Sequence, residues 1–462
     1  MIYVVVLAVV VAALLATAIY KSFAVRTRTD FMVAGRKLAW PVLVFTLLSS
    51  WIGAGSLFAG GENAYRNGFA ALWQPAGGWV GLALIWFIAG RARRFAQFTV
   101  PDLLETRFNA AARVMATIAI VIAYTVITSY QFKGGGDVLH LIFPAVERNT
   151  GMYIVAAFVI VLTAAAGMAS IAYTDLIIGS MVTIIVVIAV PVLLGKVGGW
   201  EHVHATLPAT HFQILGNVTF SQALGWLIPT TLLLLGNQTM YQKFFSARSE
   251  RDARWAVVGW IVGTLLLETL LITLAVIGSS ILHTDHPREI IPMTARRGLP
   301  AVLGALLLGG VFAKVVSTAN NYLFSPSTNL IQDVYLRFID RRASEKRTLI
   351  ASRLIVLLLG VLALLLATQF ESVLNASVYA YTIYGTAVTP AVLAVFLWKR
   401  ATTAGAITSI VAGTVVTVAG NLMQFSPELV VYPAVAASVV SLIAVSLFTA
   451  PPDPAKLKAL YD

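Results

Sequence analysis

The sequence predicts an all-α polytopic membrane protein with about thirteen transmembrane helices. Of its 462 residues, 59% are hydrophobic and only 11% are charged, whereas soluble proteins carry about 25% charged residues. Apolar runs of about 20 residues, the length that crosses a bilayer as a helix, recur along the whole chain. The predicted spans are 2–20, 40–61, 67–90, 113–141, 151–171, 174–196, 219–244, 255–282, 300–326, 348–369, 373–398, 404–424 and 429–449.

The distribution of basic residues predicts the orientation in the membrane, because cytoplasmic loops carry an excess of Lys and Arg. With the amino terminus outside, 24 of the 32 Lys and Arg residues fall in cytoplasmic loops and 6 in outside loops. Lys133 and Lys314 lie within spans. We therefore expect the amino terminus outside and the carboxyl terminus in the cytoplasm. The net charge of +12 then reflects topology and requires no nucleic-acid partner.

The sequence predicts a single membrane domain, 1–462, located in the plasma (inner) membrane. The longest outside loop, 197–218, and the cytoplasmic stretch 336–347 are too short to fold alone. We expect span 2–20 to remain as a helix, because no small-residue cleavage site follows it. Cysteine is absent, which excludes disulfides and cysteine-ligated metals. No phosphate-binding glycine loop or nucleophile motif appears, so we expect neither ATP-driven pumping nor an enzyme. No obligatory protein partner is evident.

The ninth span carries a polar string, made of Lys314, Ser317, Thr318, Asn320 and Asn321. At mid-membrane depth the lysine alone costs about 2.5–3.5 kcal/mol on insertion scales, so such groups line a cavity or bind something. The first three share one helical face. This pattern favours the ion site of a transporter. Hydroxyls that bond back to their own helix are the alternative.

Two other spans are interrupted by small and polar residues. Segment 49–56 in span two holds three serines and two glycines, and segment 236–239 in span seven reads Gly-Asn-Gln-Thr after four leucines. Close helix packing through small residues is one interpretation. Unwound backbone with free carbonyls, lining a cavity, is the other. Paired breaks five spans apart are typical of inverted-repeat secondary transporters.

Four further motifs occur in a fixed order, at 99–108, at 166–168 with 173–175, at 237–249, and at 317–318 leading to 333–335. In this order and topology the chain resembles the sodium:solute symporter family over nearly its whole length. The resemblance implies a five-plus-five inverted-repeat core at 40–400. It also implies an extra helix with the first cytoplasmic loop at 1–39, and two helices with a short tail at 401–462. The implied function is sodium-coupled symport of a small organic solute by alternating access.

The resemblance also implies a sodium site. Its ligands would be the carbonyls of Ser49, Ile52 and Lys314 and the hydroxyls of Ser317 and Thr318. Such oxygen ligands suit a hard cation. Lys314 departs from the family, which commonly has a small apolar residue there. Its carbonyl suffices for sodium, but a buried ammonium that loses its proton is also a credible proton carrier. Proton-coupled symport is therefore the alternative.

The sequence leaves open whether a second cation site exists, formed by Asp175, Asn320 and Asn321. Asp175 matches a family acid implicated in sodium coupling. Asn320 and Asn321 stand where family members with a second sodium site use serines. The ammonium of Lys314 would have Asp175 as a potential partner.

We expect the solute near the midplane, against the two breaks. The matched lining residues are Ser50, Trp51, Gly53, Ser56, Gln74, Thr230, Thr231 and Gln238. If Lys133 also contacts the solute, the solute is a small carboxylate; an i, i+4 pair of Lys133 with Asp137 is the alternative. Glu268 lies within span eight and receives no role. A solute sensor that signals without transport is a further alternative, which the lack of a soluble output domain disfavours.

Overall fold

The computed structural model describes residues 1–22, 27–95, 97–165, 167–370, 372–453 and 457. Across these ranges the chain is a bundle of α-helices joined by short 3-10 and π-helical turns, without a β-strand. Ala166 of the motif at 166–168 lies outside the described residues, as do the basic residues Arg26, Lys456 and Lys458, which contributed to the topology prediction.

The helices in chain order are α1 (Ile2–Ser22), α2 (Arg28–Val33), α3 (Trp40–Trp51), α4 (Gly60–Asn67), α5 (Trp73–Phe95), α6 (Val100–Arg107), α7 (Ala110–Ile142), α8 (Arg148–Ala165), α9 (Met168–Lys196), α10 (Gly199–Thr206), α11 (Phe220–Gly236), α12 (Gln238–Ser246), α13 (Glu250–Ser279), α14 (Ile290–Met293), α15 (Ala301–Asn329), α16 (Glu345–Ala367), α17 (Val373–Ala387), α18 (Thr389–Leu397), α19 (Thr403–Leu422) and α20 (Pro427–Phe448). Helix α15 continues into a π-helical segment, Leu330–Ile339.

Each of the thirteen predicted spans coincides with helical structure, and the all-α membrane fold is confirmed. Within the described residues, eleven helical segments are long and apolar enough to cross a bilayer. The difference of two arises because predicted spans 40–61 and 219–244 are each broken into shorter helices. The total of thirteen crossings and the orientation of the termini stay predictions.

Two predicted boundaries differ from the structure for identifiable reasons. Span 67–90 begins later, at Trp73, because Gly68 adopts a positive φ of 61° and opens a 3-10 turn. Span 151–171 overruns a helix end. Gly167 has an extended backbone, with φ −127° and ψ 178°, and separates α8 from α9.

The first break follows α3. Ile52 leaves the helical region with ψ 98°, and a π-helical turn at Gly55–Ala59 leads into α4. The amide of Ala54 donates to Oε1 of Gln131 in α7 at 2.8 Å. Unpaired backbone groups are not tolerated at membrane depth, so this side-chain acceptor allows the helix to unwind here. The predicted interruption in span two is confirmed.

The second break separates α11 from α12 at Asn237, whose ψ is 113°. Its side-chain oxygen accepts from the amide of Met240 at 3.2 Å and caps α12. The hydroxyl of Tyr384 donates to the carbonyl of Gly236 at 2.7 Å and accepts from the amide of Gln238 at 2.8 Å. The predicted interruption in span seven is confirmed.

Helices α7 and α15 each reach both breaks. In α7, Gln131 serves the first break, and the hydroxyl of Tyr124 donates to Asn237 at the second at 2.8 Å. In α15, Thr318 contacts the first break, while Tyr322 accepts from Asn237 at 3.2 Å. From Leu307 to Asn329 every residue of α15 is buried. This helix therefore forms the centre of the bundle against which both broken helices pack.

We expect Gln131→Leu to lower the free energy of unfolding by about 1–3 kcal/mol, because it leaves the buried Ala54 amide without an acceptor. Thermal unfolding of the purified protein in detergent measures the change. Gln369→Leu is the matched control, since Gln369 is exposed and its side-chain amide donates to the neighbouring Thr368. Equal midpoints for the two variants would show that Gln131 does not support the break.

Candidate ion and solute sites

The first break and α15 bring three of the predicted sodium ligands together. Oγ1 of Thr318 lies 2.8 Å from the carbonyl oxygen of Ser49 and 3.3 Å from that of Ile52. Gly53 makes this approach feasible, because a Cβ atom there would lie 2.5–2.6 Å from three side-chain atoms of Thr318. The arrangement places two backbone carbonyls and one hydroxyl oxygen around a single point between α3 and α15.

Lys314 lies beside the same point. Its side chain is fully buried, and Nζ donates to Oγ of Ser49 at 2.9 Å. The Ser49 hydroxyl in turn donates to the carbonyl of Asp175 at 3.1 Å. Among the described residues no salt bridge within 4.0 Å joins Lys314 to an acid. Lys314 thus contacts the Asp175 region through Ser49.

A second polar cluster surrounds the carboxylate of Asp175 in α9. It accepts from Thr46 at 2.6 Å, from Nδ2 of Asn321 at 3.1 Å and from the hydroxyl of Ser317. Ser317 therefore faces Asp175 in this conformation and does not point to the carbonyls that Thr318 contacts. Asn320 lies apart from the cluster, and its buried Oδ1 has no partner among the described residues.

Lys243 completes the Asp175 cluster, and the sequence analysis assigned it no role. It is fully buried in α12, and its Nζ donates to the carbonyl of Thr46 at 2.9 Å. It acts electrostatically on Asp175. Its place inside the motif at 237–249 was the one available signal. The contact with α3 depends on residues 197 positions apart, which spacing along the chain does not reveal.

A narrow cavity with a free volume of about 20 Å³ lies between the two broken helices and α13. Four predicted solute residues line it, namely Trp51, Ser56, Gln74 and Thr230. The remaining lining residues are Gly55, Gly60, Pro75, Glu268, Leu271, Ile272 and Tyr381. That volume holds about one water molecule, so the cavity is nearly closed in this conformation and has to widen before it can enclose a solute.

Glu268 is the lining residue that the sequence analysis left without a role. Its Oε1 accepts from Nε1 of Trp51 at 2.9 Å and from the Ser56 hydroxyl at 3.2 Å. Its Oε2 accepts from Nε1 of Trp79 at 3.1 Å. An acid inside a predicted span is itself a signal of function. The partners, which come from α3, α5 and the first break, appear only in the folded chain.

The other predicted solute residues of the broken helices do not line this cavity. Ser50 donates to the carbonyl of Thr46 at 2.8 Å, and Thr231 donates to the carbonyl of Gly77 at 2.9 Å. Gly53 packs against Thr318. Oε1 of Gln238 accepts from the amide of Val100 at 2.5 Å, which ties the second break to the start of α6.

Lys133 also lies outside the cavity. Its Nζ donates to the carbonyl of Phe370. Asp137, the alternative partner considered for Lys133, instead contacts Arg288 at 2.8 Å and Arg148 at 3.6 Å. A solute contact by Lys133 stays a prediction that the cavity does not support.

A buried ion pair lies at the start of α6. Asp102 pairs with Arg113, and Thr99 donates to Asp333 at 2.9 Å. Burial raises the pKa of the Asp102 carboxyl, and the guanidinium of Arg113 opposes that rise. These contacts join α6 to α7 and to the end of α15.

Two broken helices whose carbonyl oxygens meet buried hydroxyl groups beside a cavity are typical of a secondary active transporter. The chain matches the model of the sodium:solute symporter family over residues 31–413 and belongs to that family. It is a multi-pass plasma-membrane protein that carries out sodium-coupled secondary transport.

Individual relatives agree with this assignment. The chain is 25% identical to the high-affinity proline transporter PutP of Bacillus subtilis (strain 168), over 94% of this chain and 95% of that protein. It is 24% identical to a sodium/proline symporter of Staphylococcus aureus, over 84% and 80% of the two chains. Among solved structures, a Na+-coupled sialic acid symporter in a substrate-bound outward-open state gives a TM-score of 0.84. That comparison covers 98% of this chain and 99% of the symporter at 16% identity, and it shows a shared fold.

We expect Gly53→Ala to raise the sodium concentration for half-maximal uptake, because the added Cβ displaces Thr318 from the Ser49 and Ile52 carbonyls. Sodium-dependent uptake into proteoliposomes measures the change. Gly195→Ala is the matched control, since a Cβ at this exposed position in α9 meets no atom within 4 Å. Unchanged sodium dependence in Gly53→Ala would contradict the role given to this contact.

Proposed function

We propose that one sodium ion binds between α3 and α15 and drives the uptake of a small organic solute. Its ligands are the carbonyls of Ser49, Ile52 and Lys314 and the hydroxyls of Ser317 and Thr318. The observation that carries this proposal is the convergence of Thr318 Oγ1 on the two carbonyls of the broken helix. Ser317 joins the set by turning its hydroxyl away from Asp175.

The chemistry of these groups suits sodium. Carbonyl and hydroxyl oxygens are the ligands that hard cations prefer. Among the described residues there is no group of three or more His, Cys, Asp or Glu side chains that would hold a metal ion. Ion binding therefore relies on backbone and hydroxyl oxygens at the break.

The proposed coupling follows from the position of the break. Ile52, whose carbonyl faces Thr318, directly follows Trp51, which lines the cavity. An ion that joins α3 to α15 also determines where Trp51 and Ser56 stand. Ion and solute then stabilise the same conformation, and each raises the affinity for the other because linkage is reciprocal.

In this proposal hydrogen bonds and the charge of two nearby lysines stabilise the Asp175 carboxylate, which does not bind a second sodium ion. Lys243 and Lys314 both act electrostatically on the Asp175 carboxylate, so two buried ammonium groups already supply positive charge. Asn321 occupies one carboxylate oxygen as a donor. Another cation at this position would meet repulsion from both lysines.

The relatives support a small organic solute, since two are named as proline carriers and the structural neighbour as a sialic acid symporter. The cavity is nearly closed in this conformation, so it has to widen before it can enclose such a solute. The solute enters from one side, is enclosed between the broken helices, and leaves from the other as the bundle alternates its access.

Thr318→Ala tests the ion site, because it removes an oxygen ligand and leaves the backbone in place. The loss of a ligand to a charged group, worth about 1.5–3 kcal/mol, raises the half-saturating sodium concentration about tenfold or more. Sodium titration of uptake in proteoliposomes provides the measurement. Thr414→Ala is the matched control, because its hydroxyl bonds within α19 to Ile410. A Thr318→Ala protein with the sodium dependence of the control would refute the site.

Lys314→Met distinguishes the role of the Lys314 carbonyl from the role of its ammonium group. The variant keeps the backbone ligand and removes a positive charge that contacts Ser49. We expect a lower half-saturating sodium concentration, because less repulsion opposes the ion. Uptake driven by a proton gradient in sodium-free medium, and abolished by Lys314→Met, would establish the proton alternative instead.

A further inference from the structure

We propose that the transported solute carries a protonated amine, which binds in the cavity between the carboxylate of Glu268 and the side-chain oxygen of Gln74. This inference rests on the proposed function, since it assigns the chemical class of the solute to the cavity named there. It replaces the carboxylate class that a contact with Lys133 implied.

The first observation is that Glu268 is buried in the cavity wall without a cationic side chain beside it among the described residues. Its side chain is buried, at 4% exposure, and it is the only carboxylate, lysine, arginine or histidine among the described residues that line the cavity. No cationic side chain among the described residues lies within 4.0 Å of it. A buried carboxylate is strongly disfavoured without a positive partner. A cationic solute would supply that partner.

The hydrogen bonds of Glu268 favour the charged form of this acid, whereas its burial opposes that form. Its contacts are the indole N–H groups of Trp51 and Trp79 and the hydroxyl of Ser56. An indole nitrogen donates and does not accept. Donors to both oxygens favour an acceptor-only carboxylate, so the acid is oriented and still available to a further donor from the cavity.

The second observation is independent and concerns Gln74 in α5. It is 5% exposed and lines the same cavity, yet its Oε1 has no hydrogen-bond partner among the described residues. Buried acceptors are normally satisfied. An N–H group of the solute would satisfy this one. A carboxylate oxygen and a free amide oxygen together specify a donor with positive charge, which describes a protonated amine.

Aromatic rings complete the lining. Trp51 and Tyr381 are stacked, with centroids 6.4 Å apart and an interplanar angle of 24°, and both line the cavity. A cation near an aromatic face gains about 0.5–2 kcal/mol. The lining therefore favours a positive group, and no lysine, arginine or histidine among its described residues faces an anion.

The experiment uses matched ring compounds with the purified full chain. L-proline and pyrrolidine carry a protonated ring nitrogen. Cyclopentanecarboxylate is the carbon-ring counterpart of L-proline, and cyclopentanol serves as the neutral, water-soluble counterpart of pyrrolidine. Thermal unfolding with and without sodium measures stabilisation by each compound at millimolar concentration. We expect at least one amine to stabilise the protein in the presence of sodium and its carbon counterpart to have no effect. Stabilisation by the carbon compounds alone, or by no amine, overturns the proposal.

Two variants test the residues. Glu268→Gln keeps the shape of the side chain and removes its charge, and we expect the dissociation constant for the amine to rise tenfold or more. Gln74→Leu should weaken the binding of L-proline more than that of N,N-dimethylproline, whose nitrogen has no hydrogen to donate. Glu250→Gln is the control, because Glu250 lies at the start of the same helix and pairs with Arg94. Unchanged amine affinity in Glu268→Gln overturns the proposal.

The outcomes for the solute and for the ion site are separable. Stabilisation of the wild-type chain by sodium alone reports the ion site, and Glu268→Gln should retain it. If sodium stabilises neither the wild type nor the variant, the proposed ion coupling fails. If sodium stabilises both and the amine binds both equally, only the amine site fails. Uptake in Glu268→Gln that becomes independent of external pH, with amine affinity intact, would identify Glu268 as a proton carrier and also overturn the amine site.

Discussion

The structure depends on one constraint, which is that every backbone polar group released at a helix break must find a partner inside the membrane. The partners come from the side chains of neighbouring helices. Gln131 accepts from Ala54 at the first break, and Tyr384 bridges Gly236 and Gln238 at the second. These contacts convert two interruptions that would otherwise be unstable into rigid features, and the ion site and the cavity form beside them.

The same constraint explains why ion and solute chemistry meet at one place. A helix break whose amide groups are hydrogen-bonded still presents carbonyl oxygens. Thr318 reaches two of them because Gly53 has no side chain in the way. The residue before the break, Trp51, turns its indole towards Glu268. One short stretch of α3 therefore belongs to both sites, so neither site can change shape without affecting the other.

Residues that are unusual in their own segment were predictable from the sequence. Glycines, serines and amides inside apolar runs indicated both breaks, and Thr318 emerged from the polar string of the ninth span. Contacts between distant segments were not predictable. Ser317 faces Asp175, Lys243 reaches Thr46, and Glu268 receives three donors, each across more than 100 positions of the chain. Such pairs depend on helix rotation and packing, which single-segment patterns leave undetermined.

The bond between Gln238 and the amide of Val100 links the second break to the start of α6. The same short helix is anchored by Thr99 to Asp333 at the end of α15. Helix α6 is therefore held at two points, by the second break and by the segment that follows α15. A movement of the second break relative to that segment has to stretch or break one of these two contacts.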